Sequence, residues 1–143
     1  AVIEEPEMGL HPFAIQSLLL NFLELIYRGY KVIVSTHSPV VLELVWAIQI
    51  MQEMKAKEDH LFSLFEINKK DQAIKDVFSD IRQNKSFKTY FFERKEEKVY
   101  TKDISSLDPA TEDSALSEWG GITSFSSRAS EIVSNIMARN HGI

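Results

Sequence analysis

The sequence predicts an α/β fold, and three observations carry that expectation. Two short apolar runs, Val2-Ile3 and Val32-Ile33-Val34, each lead into ionisable or polar residues, as buried strands do where they leave a sheet. The segment between them is long enough for one helix and has helical spacing, so the two runs read as parallel strands linked by a crossover. Farther along, two β-runs surround a charged turn, and helical spacing follows to the end of the chain.

Each element has a local cause. Pro12 opens the first helix at a position where a missing amide hydrogen costs nothing. Ile15, Leu18, Leu19, Phe22, Leu23, Leu25 and Ile26 then recur at helical spacing, and Gly29 stands where a helix stops. This helix should cover one face of the sheet. Lys31 to Ser35 forms the second strand, whose Val-Ile-Val centre predicts burial on both faces. Ser38-Pro39 reads as an N-cap with Pro at the first helical position, which puts His37 on the strand-to-helix turn. That helix runs to about Met54.

Beyond the charged stretch Lys55 to Asp59, the spacing of Leu61, Leu64, Phe65, Ile74, Val77, Phe78 and Ile81 predicts two further helices. The segment Leu61 to Ile67 can also be read as a strand. Lys88 to Glu93 and Lys98 to Ile104 predict a β-hairpin turning at Arg94-Lys95-Glu96-Glu97. A loop over Ser105 to Pro109, a short helix over Thr111 to Glu118, a turn at Trp119-Gly120-Gly121 and a last helix over Ser126 to Arg139 complete the chain, with Asn140-His141-Gly142 as the stop.

At 143 residues, 44% hydrophobic and 26% charged, the chain can bury one modest core, and no repeat, low-complexity tract or linker divides it. A net charge of −5 argues against broad contact with nucleic acid or an anionic membrane, since both draw on clustered Lys and Arg. The absence of cysteine excludes disulfides, thiolate zinc sites and cysteine nucleophiles, and is compatible with a cytoplasmic home. The longest apolar stretch, Val40 to Met51, is interrupted by Glu43 and Gln49 and is shorter than the roughly 20 residues a bilayer demands, so it reads as a buried helix.

Strand ends bring Glu4, Glu5 and His37 to one edge of the sheet, the edge at which open α/β sheets bind ligands. Two adjacent carboxylates with a neutral imidazole nearby suit a hydrated metal and a water activated beside a phosphate chain. The run Val2-Ile3-Glu4-Glu5-Pro6-Glu7-Met8-Gly9-Leu10-His11-Pro12, followed by Thr36-His37-Ser38-Pro39, resembles the Walker B, D-loop and switch-histidine segments of ABC-type ATPases of the OLD, RecF and SMC-like branch, the AAA_21/AAA_15 type. The resemblance implies a P-loop NTPase (ABC-like) fold, of which this chain would be the C-terminal half. Walker B and D-loop would occupy 1–12 and the switch-histidine strand and turn 31–39. A helical segment over 39–83, a hairpin over 87–104 and C-terminal helices over 111–140 would follow.

By the same resemblance Glu4 would hold magnesium through water, Glu5 would be the general base and His37 would sense the γ-phosphate of ATP. Gly9, Leu10 and His11 fall in the D-loop, which meets a partner subunit across a sandwiched nucleotide. Many relatives carry Asp where this chain has Glu4. The implied parent is a Mg-ATP-dependent homodimer that acts on DNA or on an effector protein, in DNA repair or phage defence, with no membrane partner.

No Gly-x-x-x-x-Gly-Lys-Ser/Thr and no Leu-Ser-Gly-Gly signature occurs in the sequence, so the chain by itself offers no nest of amides for a triphosphate. It also opens inside a strand without a starting Met, and we expect it to be the C-terminal piece of a longer polypeptide, inactive without the missing N-terminal half. Rival roles exist for several residues. His11 is readable as a D-loop residue or as a cap for the helix after it, and Glu7 as a local polar contact in the loop. His60 and His141 lack ligand spacing for zinc. Ser35 and Ser38 lack the glycines of a nucleophile elbow. Trp119 reads as a packing residue rather than an interaction anchor. Without an Asp-x-Asp, Toprim-type nuclease chemistry finds no support. The alternative to an ATPase is a non-catalytic interaction module whose acids only dress a sheet edge.

Overall fold

Two three-residue strands, β1 (Val2–Glu4) and β2 (Ile33–Ser35), pair in parallel with Val2 opposite Ile33, Ile3 opposite Val34 and Glu4 opposite Ser35. The 16-residue helix α1 (Pro12–Tyr27) joins them, with His11 at its N-cap and Pro12 at its first position. Its end is set by Gly29 at φ +91°, where the amides of Gly29 and Tyr30 reach back to the carbonyls of Ile26 and Leu25, both at 3.0 Å. The computed structural model describes residues 1–140 and separates the chain into two units, Ala1–Phe87 and Lys88–Ile143. Within the described residues the architecture is α/β, with helices and two small sheets.

In the first unit, α2 (Pro39–Glu53), α3 (Asp59–Leu64) and α4 (Gln72–Asn84) follow β2. One core gathers Leu19, Phe22 and Leu23 of α1, Val41, Leu44 and Ile48 of α2, Leu61, Phe62 and Phe65 in and after α3, and Phe78 and Ile81 of α4. Burial of each such side chain contributes about 1.5–3 kcal/mol. Phe78 is the pivot: its ring meets Phe62 edge-on at 4.9 Å and stacks on Phe65 at 5.8 Å. The ambiguous segment from Leu61 is helical, because Leu61, Phe62 and Phe65 then all reach this core. The helix stops where Glu66 turns to φ +53°.

The strands correct one expectation. Ile3 and Val34 pack against the core, but Val2 is 75% exposed and Ile33 63%, so the pair is covered on one face only. The period-2 alternation of strand side chains decides this: α1, α2 and α4 supply an apolar surface to one side, and the described residues supply none to the other. Regular pairing in β2 also begins at Ile33 rather than Lys31.

The second unit holds the antiparallel hairpin β3 (Tyr90–Lys95) and β4 (Lys98–Asp103), then α5 (Ser114–Ser117) and α6 (Ser124–Asn140). The hairpin turns more tightly than expected, because Glu96 takes φ +56° and lets Arg94 and Lys95 stay paired with Val99 and Lys98. The helix expected over Thr111 to Glu118 is a single turn, since Asp113 caps it by accepting the Ala115 amide at 3.0 Å. Helix α6 starts at Ser124, two residues early, and its Ile132, Val133, Ile136 and Met137 are exposed. The expected stop at His141-Gly142 lies outside the described residues. Trp119 packs, as expected: it is 6% exposed and its Nε1 donates to the Leu107 carbonyl at 2.9 Å. No helix among the described residues is long and apolar enough to cross a membrane.

Candidate functional site

The parallel register places the exits of β1 and β2 side by side. The amide of Glu5 donates to the Ser35 carbonyl at 2.8 Å, so pairing extends one step beyond Glu4. There the chain breaks from strand geometry, with Glu5 at φ +40° immediately before Pro6. A non-glycine residue held in this left-handed region costs of the order of 1–3 kcal/mol, a cost that tends to be kept where a side chain must be aimed. The aim here is visible: Glu5 Oε1 lies 3.2 Å from His37 Nε2.

Stability does not explain that contact. The His37 side chain is 84% exposed and that of Glu5 35%, and ion pairs so open to water contribute only about 0–1 kcal/mol. The backbone cost of Glu5 thus equals or exceeds the return from its partner. A strained carboxylate set against a solvent-facing imidazole can pass or hold a proton, or bind a water between oxygen and nitrogen.

Glu4 occupies the last ladder position, opposite Ser35, and is exposed. Among the described residues no group of three or more His, Asp, Glu or Cys is arranged to hold a metal by itself. The donors present are carboxylate oxygens. Such a set fits an ion like magnesium, which keeps most of its waters and takes one or two carboxylates together with substrate phosphates.

Gly9, Leu10 and His11 sit on the loop between β1 and α1, all exposed. Gly9 has φ +74° with open space where a Cβ would stand, so its need for glycine is conformational rather than steric. His11 is the N-cap of α1, but its Nδ1 accepts from Phe13 at 3.4 Å, longer than an effective hydrogen bond, while its ring stacks on Phe13 at 5.5 Å. No hydrogen bond joins these three residues to Glu5 or His37. Ser38 stands at the N-cap of α2, yet its hydroxyl makes no capping bond.

The residue that sequence reasoning undervalued is Glu7. Its Oε1 accepts from the Thr36 hydroxyl and from the His37 amide at 3.2 Å, across from one strand exit to the other. The Thr36 Oγ1 in turn accepts from the Ser38 amide at 2.9 Å. Burial pushes the Glu7 carboxyl up, but the Thr36 hydroxyl and the amides of Glu7, His37 and Ser38 outweigh it and hold the group below the usual carboxylate range. The strand register, an offset of 33 − 2 = 31 residues, brings positions 7 and 36–38 to neighbouring exits.

Known proteins resemble the segment that holds these residues. Residues 2–43 match the family described as "AAA domain, putative AbiEii toxin, Type IV TA system". The segment that carries Glu4, Glu5, Glu7 and His37 is therefore similar to a part of AAA-type ATPase domains. Among curated proteins the chain is similar to the Old nuclease of Escherichia phage P2, 43% identical over 53 residues, which is 37% of this chain and 9% of that protein. The chain therefore spans under a tenth of the length of the relative it matches. No solved structure matches.

Proposed function

We propose that this chain supplies the Walker B, D-loop and switch-histidine part of an ATP-hydrolysing, ABC-like ATPase that dimerises around Mg-ATP in the cytoplasm. The phosphate-binding loop would come from a segment N-terminal to it. Hydrolysis would drive a conformational change acting on DNA or on an effector protein, in DNA repair or phage defence. The observation that carries this reading is the left-handed Glu5 carboxylate 3.2 Å from the His37 imidazole.

The residues divide the work by their chemistry. Glu5, partly exposed, orients the attacking water and takes its proton as the water oxygen bonds to the γ-phosphorus and the bond from phosphorus to the ADP oxygen breaks. His37, on the turn leading into α2, donates a hydrogen bond to a γ-phosphate oxygen and so senses whether that phosphate is present. Glu4 would hold the magnesium shell through water, and the ion would neutralise charge on the phosphate oxygens. Gly9, Leu10 and His11 form an exposed loop available to the opposing subunit and its nucleotide.

The test uses the intact polypeptide. Wild type should hydrolyse ATP in the presence of magnesium, and Glu5→Gln should lose roughly 10²–10⁴-fold in turnover while ATP-dependent dimerisation is strengthened. The chain of 143 residues alone should neither bind ATP tightly nor hydrolyse it. Absence of any response of the intact protein to ATP and magnesium would instead support a non-catalytic interaction module.

A further inference from the structure

We propose that Glu7 is a positioning residue: it sets the place of His37 by holding the whole turn from Thr36 to Ser38 to one carboxylate oxygen. The inference rests on the ATPase reading above and adds to it a residue outside the acidic couple. Glu7 Oε1 receives both the Thr36 hydroxyl and the His37 amide, and the Thr36 hydroxyl carries the Ser38 amide. Three consecutive residues of the β2–α2 turn are thereby fixed to a side chain that follows β1.

Two further observations favour positioning over a general packing role. The imidazole of His37 is 84% exposed and meets Glu5 through one contact of 3.2 Å, so packing does not locate it and its backbone must. Ser38, which stands at the N-cap of α2, leaves that helix uncapped by its own hydroxyl. The Thr36–Glu7 linkage is therefore what orders the chain entering α2. Glu7 Oε2 is buried and makes no hydrogen bond, so the anion is held from one side, the side of the turn. Charged hydrogen bonds of this kind are about twice as strong as neutral ones. Replacing the carboxylate should let the His37 backbone drift, and misplacement by about an ångström can cost on the order of 10²-fold in rate.

The experiment has two arms. In the 143-residue chain, amide hydrogen exchange is followed for Glu7→Ala and for the shape-conserving Glu7→Gln. Exchange at His37 and Ser38 should accelerate at least about tenfold in Glu7→Ala, and less in Glu7→Gln, while Leu23 and Ile48 in the core keep wild-type protection. In the intact ATPase, Glu7→Ala should lower kcat by about 10–100-fold with KM for ATP within about twofold. In a His37→Ala background Glu7→Ala should cost nothing further, because a residue acting through His37 has nothing left to place. Losses that multiply in that background, or unchanged exchange at His37, would overturn the inference. Should the intact wild-type protein show no ATP turnover with magnesium, the ATPase reading falls instead, and the exchange arm still decides whether Glu7 holds the turn.

Discussion

The backbone of Glu5 separates two substitutions that remove the same carboxylate. Glu5→Ala and Glu5→Gly both erase the contact with His37, so the difference between them reports conformation alone. At φ +40° a Cβ costs about 1–2 kcal/mol, which glycine escapes. Glycine gives back about 0.4–1 kcal/mol through the wider freedom of its unfolded chain. The Gly variant should therefore be the more stable by about 0.5–1 kcal/mol, the reverse of the order found at an ordinary loop or strand position. With urea slopes near 1–3 kcal/mol per molar, that is a midpoint difference of a few tenths of a molar. Unfolding is read by fluorescence of Trp46, which lies on α2 in the same unit, with Trp119→Phe in every background. An Ala variant as stable as the Gly variant would refute the claim that Glu5 is held against its conformational preference.

Phe78→Ala should destabilise the first unit by about 3–5 kcal/mol, since Phe78 is fully buried against Phe62 and Phe65; a loss below about 1 kcal/mol in urea unfolding would mean that α4 is not docked as described. Gly120→Ala places a Cβ 2.4 Å from Phe91 Cδ2 at φ +72°, so thermal unfolding of the second unit should fall sharply, and Phe91→Ala should recover the part due to overlap but not the part due to backbone. The Asn84 amide, at 2.7 Å, and the Lys85 ammonium hold the Asp80 carboxyl below its usual range. Its stabilisation is therefore present above the unfolded pKa of about 3.9 and is lost as pH falls through the lower folded value. Asp80→Asn should weaken the chain at pH 7 yet flatten its acid sensitivity, which urea midpoints at pH 7 and pH 3 would show.

The parts of the fold legible in the sequence are those with a local cause. Pro12, Gly29 and Pro39 mark three helix ends because proline constrains φ and lacks a donor, while glycine admits the positive φ of a helix stop, regardless of context. The end of α3 is harder to place: Glu66 adopts positive φ without being glycine, and only tertiary packing imposes that. Ile33 illustrates the other limit. Its apolar neighbours announce a strand, but whether a second layer covers it depends on elements that composition cannot reveal. At the site, Glu5 and His37 announced themselves by residue type and setting. Glu7 did not, because a glutamate after proline in a loop is ordinary until the strand register shows what lies across from it.

A pair of strands only three residues long has too few ladder bonds to resist sliding, and a shift of one position would invert every side chain, sending Ile3 and Val34 out to water. The fasteners lie outside the strands. The Ile33 amide donates to the Ala1 carbonyl at 2.9 Å on one flank, and Glu7 grips Thr36 and His37 on the other. The loop that carries Glu7 thus also acts as a clasp on the sheet. Selection on either task will leave its mark on both.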